Sequence, residues 1–275
     1  MTFNSTRANV LPAREEVAAM VRRPELLHAL LEERFPEMSG HWGWVSLYAS
    51  LISSRLGLSG EEAGLVATAA GLMDLGMLWM EDSARLDGGE PTERVRESIR
   101  RHPLEGERAL ASVVEDRRIL PMIRHHHEWW NGQGYPDGLE GKAIPLGARV
   151  IAVADAFTAM LSPRPWRPPC SLDDVLREIM RSRGSQFDPA AADAFLDLAD
   201  ERFGLPEGDS KSGGCPLRTQ AVAYLSPQGE ARGGRGLLDN PDWRERVELI
   251  ELLWDLNGVR RNRAFNPPMQ RSTGR

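Results

Sequence analysis

The feature that most constrains this chain is a run of adjacent histidines, residues 125–127, that leads into a glycine-rich loop at residues 131–138. Three of the six histidines lie in this run, and Gly, Asn, Pro and Asp recur after it too densely for a helix or a strand. Adjacent imidazoles on a helix do not point to one spot, but a metal ion at a helix end can take ligands from both sides of a turn, and imidazole is the commonest metal ligand. The alternative is a solvated histidine tract. The apolar segment 119–123 just before the run favours a metal site.

The overall composition is that of an ordinary globular protein, with 275 residues of which 41% are hydrophobic and 27% are charged. The formal net charge of −6 argues against a nucleic-acid polymer as partner. No apolar run approaches the length that spans a bilayer, and residues 1–23 lack the apolar core of a signal peptide. We therefore expect a cytoplasmic protein without a membrane partner.

Apolar residues recur at helical spacing up to Phe203, whereas strand-like alternation is nearly absent. This pattern predicts an all-α helical bundle. From residue 204 the composition changes to Gly, Ser and charged residues, which is typical of a linker. The expected organisation is an N-terminal segment at 1–24, a helical domain at 25–203, a linker at 204–216, and a small C-terminal extension at 217–275 with a hairpin and one helix. This extension is expected to pack on the helical domain or to mediate a homodimer.

Capping residues and helix breakers set the expected boundaries of the helices. Ser59 with Glu62 predicts a capping box for a long apolar helix at 61–77. Pro103 is expected to end a helix that opens at residue 91 or 92, so that a separate helix follows at 104–114. The remaining helices are expected at residues 13–22, 25–34, 42–56, 117–127, 146–161, 172–181 and 189–203, the helix at 172–181 with Ser171 as its N-cap.

Seven side chains in these segments are expected to face inward although they can bind a cation. Asp74 and Asp155 each lie within an otherwise apolar helix, where an ionised carboxylate needs a partner or a metal ion. Mixed imidazole and carboxylate ligation suits iron, manganese, zinc or nickel, and carboxylates that bridge two cations suit water activation at a phosphoryl centre. The set is Glu37, His41, Asp74, His102, His126, His127 and Asp155.

Members of this set also have ordinary structural explanations. His41 could lie on a helix surface, and His102 could simply close a helix. Asp155 could cap a neighbouring helix or pair with Arg149. Each explanation alone is as good as the metal interpretation, but several independent coincidences would be needed to produce the whole set.

Eight short motifs occur together along the chain and carry a family resemblance. They are Leu-Met-Asp-Leu-Gly-Met (72–77), His-Pro (102–103), His-His-Glu (126–128), Gly-Tyr-Pro-Asp-Gly-Leu (134–139), Ile-Pro-Leu-Gly-Ala-Arg (144–149), Val-Ala-Asp (153–155), Arg-Pro-Trp-Arg (164–167) and Phe-Asp-Pro (187–189). With these motifs the chain resembles the HD-GYP domain over about residues 38–200. The resemblance implies an all-helical, HD-domain-like phosphodiesterase fold that hydrolyses cyclic di-GMP with two or three metal ions, usually iron or manganese.

The resemblance also implies roles for the candidate ligands. Asp74 would be the bridging and catalytic carboxylate, His41 and Asp155 would help to bind a second metal ion, and Glu37 falls where some members bind a third. The first metal ion would take four protein ligands: Asp74, His102, His126 and His127.

For the substrate, the resemblance implies that Arg164 and Arg167 contact the phosphates of the dinucleotide. It further implies that Gly134, Tyr135 and Pro136 form one wall of the site.

Three positions depart from the family pattern. Met73 stands where the family has the histidine of its His-Asp pair, Met77 where it has a lysine, and Thr158 where it usually has an aspartate. A thioether is a soft, weak ligand for iron, manganese or zinc. The first metal site therefore keeps all its expected ligands, while the second is expected to be weakened.

These departures lead to three hypotheses. The first is a degenerate HD-GYP module that binds a metal ion, with or without cyclic di-GMP as a second ligand, has weak or absent hydrolysis, and signals through the nucleotide or a protein partner. The second is an active cyclic di-GMP phosphodiesterase that forms pGpG and GMP with one tightly held and one loosely held metal ion. The third is a protein-interaction module that binds no ligand.

Overall fold

The computed structural model describes residues 13–80, 93–162, 169–203 and 205, and the expected all-α class is confirmed there. This part of the chain contains nine α-helices and no β-strand, only two isolated bridges. The helices are α1 (Arg14–Arg22), α2 (Pro24–Arg34), α3 (His41–Arg55), α4 (Gly60–Leu72), α5 (Glu93–Leu110), α6 (Ile119–Arg124), α7 (Leu146–Leu161), α8 (Leu172–Ser182) and α9 (Pro189–Phe203).

Helix α7 is the centre of the bundle, since it packs against α3, α4, α6, α8 and α9. Its apolar residues on nearly every side therefore find neighbours, as the sequence pattern requires. Phe157 on α7 has its ring centroid 4.8 Å from that of Tyr48 on α3 and 4.7 Å from that of Phe195 on α9. This aromatic cluster ties the three helices together, and burying one such ring contributes roughly 1.5–3 kcal/mol.

Two predicted helix starts are confirmed by their capping hydrogen bonds. The Ser59 hydroxyl accepts from the Glu62 amide at 3.3 Å, and the Glu62 carboxylate accepts from the Ser59 amide at 2.9 Å. The Ser171 hydroxyl accepts from the Asp174 amide at 3.1 Å at the start of α8. These side chains satisfy amides that the first helical turn leaves without partners.

The expected break at Pro103 is wrong, because α5 runs through it from Glu93 to Leu110. A proline inside a helix leaves the carbonyl four residues earlier, here that of Ile99, without its usual amide donor. In this helix the His102 Nδ1–H donates to the Ile99 carbonyl oxygen at 2.6 Å. The histidine thus supplies the hydrogen bond that the proline cannot, and the helix continues.

The expected long helix at 61–77 is also wrong in its last five residues. Helix α4 ends at Leu72, and a 3-10 helix, Leu75–Trp79, follows. Asp74 lies between them with φ −97° and ψ 11°, outside both helices. The 3-10 helix packs against α5, so the chain turns towards His102 directly after Asp74.

The expected helix at 117–127 is shorter than predicted, since α6 covers only Ile119–Arg124. Residues 125–127 form a turn after it. Because the adjacent histidines are not in a helix, their side chains are not rotated apart by the helical repeat. His126 and His127 can therefore face the same region.

Parts of the predicted organisation lie outside the described residues. These are residues 1–12 of the N-terminal segment 1–24, the linker 204–216 apart from Leu205, and the whole extension 217–275 with its hairpin and helix. Among the helices that the structure does describe, none combines the length and the apolar composition needed to cross a membrane.

Candidate metal centre

Four of the predicted ligands meet in one buried cluster between α4, α5 and α6. One ligand atom from each side chain lies within 4.8 Å of the ligand atoms of the others. Asp74 Oδ1 is 3.0 Å from His102 Nε2 and 3.9 Å from His126 Nε2. All four side chains are buried. The members are Asp74, His102, His126 and His127.

Hydrogen bonds to the backbone fix how His102 and His126 present their rings. Each donates Nδ1–H to a carbonyl oxygen three residues earlier at 2.6 Å, that of Ile99 for His102 and that of Ile123 for His126. A carbonyl oxygen only accepts, so Nδ1 carries the proton and the neutral ring has a lone pair on Nε2. The two Nε2 atoms lie 3.2 Å apart. Two lone pairs and a carboxylate oxygen at this separation need a cation between them, either a proton or a metal ion.

His127 completes the cluster with a buried ring nitrogen. Among the described residues its Nε2 has no hydrogen-bond partner, and a buried polar atom in that situation costs roughly 1–3 kcal/mol. The ring of Tyr135 stacks on the His127 ring with centroids 4.9 Å apart and planes inclined by 25°. Tyr135 therefore covers His127, and a metal ion would give its Nε2 the partner that it lacks.

The pKa values of the cluster favour ligands without protons. Burial opposes ionisation of Asp74, but the contact with His102 and the neighbouring imidazoles outweigh it and hold the pKa of Asp74 well below its usual range. Burial, with the adjacent His102, lowers the pKa of His126 to about 4. Burial, with His126 and His102, also lowers the pKa of His127 well below its ordinary value. At neutral pH these groups are ready to bind a divalent cation.

Trp42 contacts this cluster from α3, although no role was predicted for it from the sequence. Its side chain is fully buried, and its Nε1–H donates to Asp74 Oδ2 at 2.8 Å. The two oxygens of Asp74 therefore face different groups: Oδ1 faces the histidines, and Oδ2 faces the indole of Trp42.

The predicted ligands of the second metal ion contact each other. His41, at the start of α3, and Asp155, on α7, are both buried, and His41 Nε2 lies 3.0 Å from Asp155 Oδ1. The alternative pairing of Asp155 with Arg149 is wrong, because Arg149 forms its ion pair with Asp188. His41 and Asp155 do not belong to any group of three or more ligand atoms within 4.8 Å among the described residues.

The glycine-rich loop is held beside the cluster by Glu128. This buried carboxylate accepts from the Asp137 amide at 2.7 Å and from the Leu139 amide at 3.1 Å. A β-carbon at Gly134 would lie 2.2 Å from the Trp129 amide nitrogen, so only glycine fits there. Glu128 and Gly134 together place Tyr135 over His127.

A second group of possible ligands in this region is already occupied by protein partners. His125 Nε2 contacts Asp137 Oδ2 at 2.9 Å, and Arg124 makes two hydrogen bonds to the Asp137 carboxylate at 2.7 and 2.9 Å. Glu128, the third member, accepts two backbone amides. We interpret this group as the anchor of the loop.

The three positions that depart from the family pattern are all buried. Met73 and Met77 are 1% and 4% exposed, and both belong to the apolar core. Thr158 donates its hydroxyl hydrogen to the Ala154 carbonyl of its own helix at 2.8 Å. None of these side chains adds a charge to the site.

Three other predicted site residues are not tested by the described side chains. Glu37 lies in the 3-10 turn Pro36–Met38, but its side chain is outside the described part, and Arg164 and Arg167 lie in the undescribed segment 163–168. Their roles stay predictions.

Comparisons with known proteins identify a family and several relatives of this chain. Residues 25–191 match the profile of the HD domain family. The chain is 43% identical over 156 residues to the cyclic di-GMP phosphodiesterase response regulator RpfG of Xanthomonas campestris pv. campestris, a match that covers 55% of this chain and 41% of that protein. It is 33% identical over 184 residues to a cyclic di-GMP phosphodiesterase of Thermotoga maritima, covering 64% of this chain and 49% of that protein. The matched region is thus less than half of either relative.

A solved structure supports the fold. The cyclic GMP-AMP specific phosphodiesterase V-cGAP3 of Vibrio cholerae superposes with a TM-score of 0.52 over 90% of this chain and 62% of that chain, at 18% sequence identity. At this identity the likeness concerns the helical architecture alone.

Proposed function

Because the chain belongs to the HD domain family and carries an HD-GYP-like domain, we propose that it is a degenerate HD-GYP-type signalling module. It binds a divalent metal ion and cyclic di-GMP, and its phosphodiesterase activity is weak or absent. The observation that carries the metal site is the convergence of Asp74 Oδ1 with the Nε2 atoms of His102 and His126, whose Nδ1 protons are already donated to the backbone.

The ligand types suit iron or manganese. Three imidazoles and one carboxylate form a mixed, borderline donor set without thiolates. Asp74, His102, His126 and His127 would hold the ion. Bound there, the cation supplies Lewis-acid polarisation of a phosphoryl oxygen.

The proposed weakness of catalysis rests on Met73 and Met77. A lysine at position 77 would place a cation near the charge that develops on the phosphate, and removing one such donor costs on the order of 10²–10³ in rate. A thioether at position 73 deprives a second metal ion of an imidazole ligand, and two-metal activation needs both ions. Both substitutions, at positions 73 and 77, are proposed to slow the same step, the attack of water on the phosphate.

Recognition of cyclic di-GMP is proposed from the relatives and from the loop. Two relatives are cyclic di-GMP phosphodiesterases by name. Tyr135 lies over the metal cluster, and we propose that it forms the wall of a nucleotide site with Gly134 and Pro136. Arg164 and Arg167 are proposed to contact the phosphates. A module of this kind would pass its signal to a protein partner, or through a homodimer.

An active phosphodiesterase is the second candidate. It is favoured by the complete first cluster, since all four of its predicted ligands are brought together. In that case the chain would convert cyclic di-GMP to pGpG and GMP with a second metal ion held loosely.

The test is to load purified, untagged protein with Fe²⁺ or Mn²⁺, measure metal content, and follow cyclic di-GMP, pGpG and GMP by chromatography. Binding of metal and nucleotide with little or no product supports the proposed module. Rapid multi-turnover conversion would establish the phosphodiesterase instead, and binding of neither ligand would favour a protein-interaction module.

A matched pair of variants assigns the metal to the cluster. His102→Gln removes a ligand and is expected to abolish metal binding. His125→Gln removes an imidazole that contacts Asp137 and the Pro121 carbonyl, so metal binding should persist.

A further inference from the structure

We propose that Trp42 fixes Asp74 as the ligand of a single metal ion, so that the centre is mononuclear and a second ion is kept out by the indole as well as by the missing histidine. The inference rests on the proposed metal site and specifies its nuclearity. It follows from the different partners of the two oxygens of Asp74.

A carboxylate bridges two cations when each oxygen directs a lone pair at one of them. Oδ1 of Asp74 faces His102 Nε2 at 3.0 Å and is the oxygen of the first site. Oδ2 accepts the Nε1–H of Trp42 at 2.8 Å. An indole nitrogen is a donor only, and the positive end of its N–H dipole points at Oδ2. The indole takes one of the two lone pairs of this oxygen, and the positive end of its N–H, held in the buried interior, opposes the approach of a further cation.

The indole is held so that it cannot turn away from Asp74. Its ring stacks on His28, with centroids 6.0 Å apart and planes inclined by 26°. On another side the ring of His41 meets it edge-on at 5.9 Å. His28 Nε2 is itself hydrogen-bonded to the Gly71 carbonyl at 2.9 Å. Because Trp42 is fully buried among these groups, the hydrogen bond to Oδ2 is a fixed part of the site.

The remaining candidates for a second ion are too few. His41 and Asp155 contact each other at 3.0 Å, and among the described residues they form no group of three ligand atoms within 4.8 Å, with Asp74 or with any other residue. Catalytic metal sites in proteins generally take at least three protein ligands. Trp42 is therefore a positioning residue, which acts on the metal through Asp74.

The first experiment uses the wild-type chain alone. Apo protein is titrated with Mn²⁺ beyond saturation, desalted and analysed for metal, and its electron paramagnetic resonance spectrum is recorded. We expect one equivalent and the spectrum of isolated Mn²⁺. Two equivalents, or the spectrum of an exchange-coupled pair, would overturn the inference without any variant.

The second experiment restores the missing ligand with and without the indole. Met73→His alone is expected to stay at one equivalent of Mn²⁺, whereas Met73→His combined with Trp42→Phe should reach two. The control combines Met73→His with Trp44→Phe, since Trp44 lies on the same helix and packs against Tyr48, and should stay at one. Thermal unfolding confirms that each variant is folded.

The outcomes separate this inference from the proposed function. If the wild-type chain binds no metal, both the proposed function and this inference are wrong. The role of Trp42 alone would be wrong in two cases. Either Met73→His by itself would bind two equivalents of Mn²⁺, or the combined Met73→His and Trp42→Phe variant would bind only one. Trp42→Phe by itself should also lower affinity for the first ion by about 10–100-fold, as loss of an outer partner of a ligand does.

Discussion

Gly76 lies so close to His102 that a β-carbon on residue 76 would sit 1.9 Å from the His102 carbonyl oxygen. The same β-carbon would lie 2.7 Å from the amide nitrogen of Gly106, one turn further along α5. This contact between backbones brings the 3-10 helix Leu75–Trp79 against α5, and with it Asp74 against His102.

Gly76→Ala should therefore separate two ligands of the cluster. The atoms in the way belong to the backbone and cannot turn aside, so we expect a loss of about 1–3 kcal/mol of stability together with a reduced metal content. Urea unfolding and elemental analysis measure the two effects. In Gly64→Ala the new β-carbon meets no atom within 4 Å in the interior of α4, so that variant should be unchanged or more stable by about 0.4–1 kcal/mol. Equal effects of the two alanines would contradict this explanation.

Glu128→Gln should loosen the glycine-rich loop while leaving the bundle folded. The carboxylate accepts the amides of Asp137 and Leu139, and glutamine can offer only one oxygen in its place. A buried donor left without a partner costs about 1–3 kcal/mol. Hydrogen exchange should become faster at these two amides, and the global stability should fall.

The control for that change is Glu140→Gln, which neutralises an exposed carboxylate two residues beyond the loop. Exchange at the Asp137 and Leu139 amides should then stay as in the wild type. If Glu128→Gln also left both amides protected, the carboxylate would not be what holds the loop.

Tyr135→Ala should open the metal cluster to solvent, because the tyrosine ring stacks on His127. We expect bound metal to pass to a chelator about tenfold faster, within the range seen when an outer partner of a ligand is removed. Tyr135→Phe retains the ring and should release metal at the wild-type rate. Equal release from the alanine and wild-type proteins would show that the ring does not shield the site.

Much of the fold could be predicted from the sequence, because apolar spacing and capping residues are local signals. The bounds of α7 and α9 and the caps at Ser59 and Ser171 follow from residues within one or two turns of the chain. The predicted break at Pro103 was wrong because the rule that proline ends a helix considers the missing amide donor but not a side chain that can replace it. That donor, His102 Nδ1, is visible only when the side chain is placed.

The candidate site also has a part that could be predicted from local sequence and a part that could not. The members of the buried cluster could be predicted, since His126 and His127 follow an apolar helix and Asp74 is an acid in an apolar segment. The role of Trp42 could not, because its contact with Asp74 joins residues 32 positions apart, one on α3 and the other between two helices. Glu128 carried a weak signal, an acid beside the histidine run, but its two backbone partners lie in a loop whose path the sequence does not specify.

Metal-free protein should lose stability as the pH falls from about 7 towards 4. Burial, with the adjacent His102, lowers the pKa of His126 to about 4 in the folded state, whereas an unfolded histidine titrates near 6.5. Between these values the unfolded chain binds the extra proton, so the free energy of unfolding falls as the pH falls. At about 1.4 kcal/mol per pKa unit, this residue accounts for a loss on the order of 3 kcal/mol.

His127 acts in the same direction, because burial also lowers its pKa. The lowered pKa of Asp74 acts only below the ordinary range of a carboxyl, outside this window. Urea unfolding of chelator-treated protein at pH 7.5, 6.0 and 5.0 measures the slope. His126→Gln should make it shallower, while His125→Gln, whose ring contacts Asp137 outside the cluster, should retain most of it. If the free energy of unfolding did not change from pH 7.5 to 5.0, these buried imidazoles would already be protonated in the folded chain. They would then not be free to bind a cation at neutral pH.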